Sequence, residues 1–255
     1  MIKFFVMTRG RTGSTAVLDE LNKSNNVCAT QELFLEYDFV GDPVMTRAYD
    51  LILPFNSWKV HRWWKLIFPF NNRKDWLARL YLLKAEMLAR NCHAKAFGFK
   101  VLSHNFEERP FLCDLLKSHD YKALYLTRNV ARQVLSGMVA NQSGIYNSKK
   151  DVIDSRRYLI NVEEFEELVN WEIQCVQRDY DFLEKEGIEF CVITYEQFCE
   201  DRVAFFTNIF NFLGLPGEIP GTSEYIVMIK DAKYTIENYD EVANRAVSMG
   251  LSLDQ

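Results

Sequence analysis

Phe4-Phe5-Val6-Met7-Thr8-Arg9-Gly10-Arg11-Thr12-Gly13-Ser14-Thr15-Ala16-Val17-Leu18 is the stretch from which the rest of the chain is read. An apolar strand runs into a Gly/Ser/Thr loop that carries two arginines. The loop opens an amphipathic helix with Ala16, Val17, Leu18 and Leu21 as its apolar positions. This order brings backbone N–H groups, small hydroxyls and a helix N-terminus to one point, which is what a phosphate needs. Gly10 and Gly13 permit close backbone approach or positive φ. Arg9 and Arg11 can meet an oxyanion in fork geometry. The same order also serves as a plain strand–helix connection in α/β proteins, and the Walker pattern is absent, because no Lys-Ser or Lys-Thr follows Gly13.

The composition sets the outer limits. The 255 residues suffice for one large core, and we expect a single domain over 1–255 with residues 41–90 as a substrate-specific insert. An apolar share of 48% and a charged share of 25% belong to an ordinary globular protein. A net charge of −5 and a pI near 5.5 argue against a general nucleic-acid binder, so an anion site has to be locally basic. The first residues lack a signal-peptide pattern, and no apolar run reaches the length of a membrane span. Cys28, Cys92, Cys113, Cys175, Cys191 and Cys199 have no paired close spacing, so they are read as buried, reduced thiols, with no zinc site and a cytoplasmic setting.

Further along, Val27 to Thr30 reads as a strand followed by Gln31-Glu32. A carboxylate just past a strand near the cradle can deprotonate an acceptor alcohol, or it can be a solvated loop residue. Residues 41–75 are irregular and hold Trp58, Trp63 and Trp64, with Trp76 at their edge, among Lys59, Arg62, Lys65, Arg73 and Lys74. Acceptor contact, a membrane or partner surface, and simple cover for the core edge all fit that mixture. Asp75 to Arg90 is a packing helix on the spacing of Trp76, Leu77, Leu80, Leu83, Met87 and Leu88. Ala94 to Leu102 reads as a strand with Lys100 near its carboxyl end, where ligands gather in open α/β sheets, and His104 follows at once. His61, His93 and His119 are read as structural or surface residues.

The second diagnostic stretch is Ala123-Leu124-Tyr125-Leu126-Thr127-Arg128-Asn129-Val130-Ala131-Arg132-Gln133-Val134-Leu135-Ser136. An apolar strand ends in Arg128 and a helix begins near Asn129, so the strand end and Ser136 can address one anion. A plain crossover with exposed polar residues reads the same way. Residues 145–158 are polar and loop-like, a surface loop or a lid. Asn161 to Glu186 is a long helix with Val162, Phe165, Val169, Ile173, Val176, Tyr180 and Leu183 facing inward. Ile188 to Thr194 is a strand followed by Tyr195-Glu196, and the next helix stops at Gly214. Lys230 and Lys233 lie before the last segment, Ile236 to Val242.

Three stretches together carry a family resemblance. Arg11-Thr12-Gly13-Ser14-Thr15 resembles the 5′-phosphosulfate loop of sulfotransferases, which use 3′-phosphoadenosine 5′-phosphosulfate (PAPS) as sulfuryl donor. Arg128-Asn129 with Ser136 eight residues after Arg128 is similar to the family's 3′-phosphate motif, with Val130 in place of a common proline. The strand, Tyr195-Glu196, helix and Phe212-Leu213-Gly214 close is also like the family, as is the tail at 236–242. The resemblance runs from residue 4 to about 242, apart from 41–90. It implies an α/β fold, a three-layer sandwich around a mostly parallel sheet related to P-loop nucleotide kinases. The alternation of strand and helix agrees.

By that resemblance Arg9, Arg11, Thr12, Gly13, Ser14 and Thr15 would hold the 5′-phosphosulfate, Arg128 and Ser136 the 3′-phosphate, and Tyr195 would lie by the adenine. Glu32 would be the base, as in bacterial and carbohydrate-type members. His104 ranks second, because the family's Lys-Xaa-His spacing is two residues shorter than Lys100 to His104. Arg11 and Lys100 would offset charge on the leaving oxygen. Adenosine 3′,5′-bisphosphate (PAP) would be the released product, and a small-molecule or glycan hydroxyl the acceptor, with no metal. A P-loop-like small-molecule kinase and a non-catalytic nucleotide- or partner-binding module are the alternatives.

Overall fold

The computed structural model describes residues 1–34, 55, 74–145, 156–225 and 231–253. Trp58, Trp63, Trp64 and the basic residues between them, together with Lys149, Lys150 and Lys230, lie outside the described residues, as do the side chains of Lys74 and Asp75. Five strands, β1 (Ile2–Thr8), β2 (Val27–Thr30), β3 (Ala96–Leu102), β4 (Lys122–Thr127) and β5 (Phe190–Thr194), form a sheet in the order β2-β3-β1-β4-β5. All four pairings are parallel. The described helices are α1 (Ser14–Leu21), α2 (Lys74–Asn91), α3 (His104–Glu108), α4 (Phe111–Ser118), α5 (Val130–Ser143), α6 (Val162–Lys185), α7 (Tyr195–Glu200), α8 (Arg202–Leu213), α9 (Ala232–Thr235) and α10 (Tyr239–Ser248).

The strands are apolar on both faces, so helices cover both. Phe4 and Val6 point to one side, where they pack with Val17, Leu18 and Leu21 of α1 and with Phe206 and Phe210 of α8. Phe5 and Met7 point to the other, against Tyr81 and Leu82 of α2, Leu115 of α4 and Leu183 of α6. Close packing between neighbouring strands needs Gly98, because a Cβ there would stand 2.3 Å from the ring of Phe4. A third cluster joins α5, α6 and α10 through Leu135, Phe165, Val169 and Val242. The expected α/β fold is therefore present, with helices on either side of a parallel sheet.

Two inward faces differ from the expectation. On α2 the buried positions are Ala78, Tyr81, Leu82, Ala85 and Ala89, while Trp76, Leu83 and Met87 are exposed. On α6 Ile173 is exposed, and Glu172, Cys175 and Asp179 are buried with Phe165, Val169 and Leu183. Following apolar residues alone skipped the two acids that share the buried stripe. The cysteines also differ: Cys92 and Cys199 are exposed, and all six thiols are free.

Parallel pairing puts all the carboxyl ends of the strands on one edge, the usual place for a ligand in an open α/β sheet. Each strand delivers a candidate residue there. The cradle follows β1, Glu32 follows β2, His104 follows β3, Arg128 follows β4 and Tyr195 follows β5.

Candidate active site

The β1–α1 loop turns through two left-handed residues, Arg11 at φ 68° and Gly13 at φ 80°. The first is uncommon for a side chain other than glycine. It turns Arg11 toward α5, where its Nε and Nη2 donate to Ser136 Oγ at 3.4 and 3.2 Å. Gly13 is the N-cap of α1, and no side chain caps that helix. Its first N–H groups therefore lack intrahelical partners and point out of the helix start. Thr12 is turned inward: its hydroxyl bonds with Thr8 Oγ1 and donates to Arg9 O at 3.2 Å. Ser14 is buried and Thr15 half-buried at the helix start.

The second motif closes on the first. Arg128 Nη1 donates to Arg11 O at 2.9 Å, so the strand β4 end touches the cradle backbone. Arg128 Nε is buried with no partner among the described residues. Burial is the main force lowering its pKa, with Arg132 adding to it and Tyr195 opposing it. Asn129 caps α5 by accepting from Arg132 N, and its own N–H donates to Glu196 Oε1 at 3.0 Å. The Tyr195 ring lies under the Arg128 guanidinium, 4.7 Å from its carbon. Burial pushes the Tyr195 phenol up to about 12, so it stays neutral near neutral pH. Arg11, Gly13, Arg128, Ser136 and Tyr195 thus come together as one cluster.

Arg9 does not join them. Strand alternation carries Phe5, Met7 and Arg9 to the α6 side of the sheet, and Arg9 Nε donates to Glu172 Oε1 at 2.6 Å. Its Nη1 reaches Ser103 Oγ at 2.9 Å and Asp179 Oδ2 at 3.5 Å. Burial alone would lower its pKa, but Glu172 and Asp179 outweigh burial and the net direction is up. Gln133 Nε2 donates both to Glu172, at 2.7 Å, and to Gly10 O, at 2.9 Å. Arg9 thus ties the loop to α6, while its side chain also lines the cavity beside Gly10 and Arg11. Sequence reading missed Glu172, Gln133, Asp179 and Ser103 as supports of the cradle.

On the other flank Lys100 Nζ lies 2.6 Å from Glu32 Oε1, with the two side chains 12% and 16% exposed. Register explains the meeting: Thr30 pairs with Phe99, so Glu32 emerges beside the end of β3. The two residues before Glu32 carry buried polar atoms, Thr30 Oγ1 and Gln31 Nε2, with no partner among the described residues. His104 begins α3 and is exposed. A cavity of about 400 Å³ opens beside Gly10 and Arg11, between α5 and α6, with Met138, Leu168 and Trp171 in its walls. Among the described residues no helix is long and apolar enough to cross a membrane, and no His/Cys/Asp/Glu group could hold a metal ion.

Neither a protein-family model nor a curated protein sequence matches the chain. Solved structures do. The sulfotransferase domain from the Synechococcus PCC 7002 olefin synthase superposes with a TM-score of 0.53 at 17% identity, covering 99% of this chain and 95% of that one. The sulfotransferase domain from the curacin biosynthetic pathway gives 0.51 at 13% identity, over 99% and 98% of the two chains. With the strand order and the helices on both faces of the sheet, these likenesses identify the chain as carrying a sulfotransferase-family fold.

Proposed function

We propose that the protein moves a sulfuryl group from PAPS to the hydroxyl of a small-molecule or glycan acceptor and releases PAP. The observation that carries this reading is Arg128 Nε, buried with no partner among the described residues, on a side chain bonded to Arg11 O in the loop that leads to the uncapped Gly13 helix start. A buried donor without an acceptor costs about 1–3 kcal/mol. An anion bridging the two motifs would satisfy both. A second phosphate on the nucleotide is the feature that separates PAPS from ATP, and Arg128 with Ser136 is the pair to recognise it.

In this reaction the acceptor oxygen attacks sulfur, the bond from sulfur to the 5′-phosphate oxygen breaks, and the acceptor proton goes to Glu32. Positioning and charge stabilisation do most of the catalysis, as in phosphoryl transfer. The amides of Gly13 to Thr15 would hold the 5′-phosphate, and Arg11 and Lys100 would offset charge on the leaving oxygen. The Glu32–Lys100 ion pair supports this division, since it keeps acid and cation at one strand edge.

The test is thermal unfolding with PAP and, separately, with ATP and magnesium. PAP at a hundred times its Kd stabilises by about 2.7 kcal/mol, a rise in Tm of roughly 5–10 °C for a chain of this size. A rise with ATP and magnesium alone overturns the reading in favour of a kinase. Glu32→Gln should leave the PAP shift intact and slow transfer by roughly 10²–10⁴-fold. Full turnover in that variant moves the base role to His104.

A further inference from the structure

Tyr195 is the first residue of α7 and stands directly beyond β5. Its ring edge occupies the space that Gly13 leaves open. A Cβ on Gly13 would lie 2.2 Å from Tyr195 Cε2 and 2.4 Å from Cδ2. The face of the same ring carries the Arg128 guanidinium at 4.7 Å. Three strand ends therefore meet in one stack: Gly13 after β1, Tyr195 after β5, and Arg128 after β4. A half-buried aromatic face attracts a guanidinium by its quadrupole without consuming any N–H. Arg128 Nη1 is directed to Arg11 O, and Nε is buried without a partner among the described residues. The next residue fixes the adjoining turn, because Glu196 Oε1 accepts the Asn129 N–H at 3.0 Å. The short helix α7 holds the 128–129 turn at two points.

We infer that Tyr195 is a positioning residue that spaces Arg128 from the Gly13 helix start, and so sets the preference for a nucleotide carrying both a 3′- and a 5′-phosphate. This rests on the proposed reading of the site as a PAPS cradle. It differs from a contact with the adenine, because the ring faces an arginine and a glycine of the two phosphate motifs. An adenine contact would serve any adenine nucleotide equally. A spacer serves only the one whose two phosphates must be gripped at a fixed separation.

The experiment measures Kd by calorimetry for PAP and for adenosine 5′-monophosphate. The proteins compared are the wild type, Tyr195→Leu and Tyr195→Phe. Tyr195→Leu should weaken PAP by about tenfold, the scale of a desolvated cation–π contact, and leave the monophosphate within about twofold. Tyr195→Phe keeps the ring and should retain the wild-type PAP affinity. Tyr195→Met, which keeps bulk without a ring, is measured alongside so that the result does not hang on one variant folding. The loss should also vanish in an Arg128→Ala background, since the ring acts through that arginine. Equal losses for the two nucleotides, or none for PAP, overturn the inference while the PAPS reading stands. A wild type that binds PAP no better than the monophosphate overturns the PAPS reading and the inference with it.

Discussion

Arg9 and Arg128 are both half-buried arginines at the carboxyl edge of the sheet, one after β1 and one after β4, and the fold treats them in opposite ways. Arg9 has its counter-charges inside the chain, Glu172 at 2.6 Å and Asp179 at 3.5 Å, and the ring of Trp171 at 5.1 Å. Arg128 has a carbonyl, an aromatic face and a buried Nε with no partner among the described residues. The net pKa of Arg9 is raised by its acids, and that of Arg128 is lowered chiefly by burial. A buried cation already compensated holds the structure in place. One that is desolvated without matching compensation fits the phosphate-binding role proposed for Arg128.

The largest effect should follow from breaking the compensated side. Arg9→Met leaves Glu172 and Asp179 buried without their cation and removes the Ser103 contact. Deleting one partner of a buried ion pair costs about 3–5 kcal/mol, which for a chain of this length lowers Tm by roughly 10 °C. Urea unfolding reads this directly. A loss below about 1 kcal/mol would mean that Arg9 is no more structural than Arg128, and the contrast would collapse.

Arg128→Met should behave in reverse. It gives up one hydrogen bond to Arg11 O, worth about 1 kcal/mol, but it also removes a charge desolvated without full compensation. Stability should therefore stay within about 1 kcal/mol of the wild type in urea. PAP affinity should fall by roughly 10–100-fold, the worth of one charged hydrogen bond to a phosphate. If unfolding rather than binding takes the larger loss, Arg128 is a second structural arginine and the anion site lies elsewhere.

Much of this contrast was legible in the sequence, though not the part that concerns Arg9. The apolar strand into Gly10-Arg11-Thr12-Gly13 predicts the strand–loop–helix order, and Arg128 and Ser136, eight residues apart, both meet Arg11, whose carbonyl accepts from Arg128 and whose guanidinium donates to Ser136. The boundaries of β2 were also readable, since Val27 to Thr30 is short and ends before polar Gln31. The sequence places Arg9 in the loop, beside Gly10 and Arg11, and says nothing of its partners on α6. Its direction follows from the period of two in β1, which makes Arg9 the continuation of Phe5 and Met7. Glu172 and Asp179 are seven apart and share the stripe of Phe165, Val169 and Leu183, a signal that a search for apolar residues passes over. The Glu32–Lys100 pair depends on which strands are neighbours and in what register, and no local pattern encodes that. Tyr195 beside Gly13 depends in the same way on β5 and β1 standing on either side of β4.

The smallest expected effect tests how completely Arg9 is compensated. One guanidinium serves two acids, and Asp179 is the farther of them. Burial raises the Asp179 pKa more than Arg9 and Ser103 lower it, and Glu172 pushes in the same direction as burial. Tyr125, whose hydroxyl lies 3.4 Å from Asp179 Oδ2, also faces it. The folded protein therefore binds a proton at Asp179 more readily than the unfolded chain. From about pH 4, the unfolded carboxylate value, up to the higher folded value, the native state carries the extra proton, so its stability falls as pH rises. Asp179→Asn removes that titration. Urea unfolding at pH 4 to 7 should show the stability of the wild type relative to Asp179→Asn declining with rising pH. A difference that grows instead would mean that Arg9 dominates burial at both acids. The compensated arginine would then hold two full ion pairs, and its contrast with Arg128 would be sharper still.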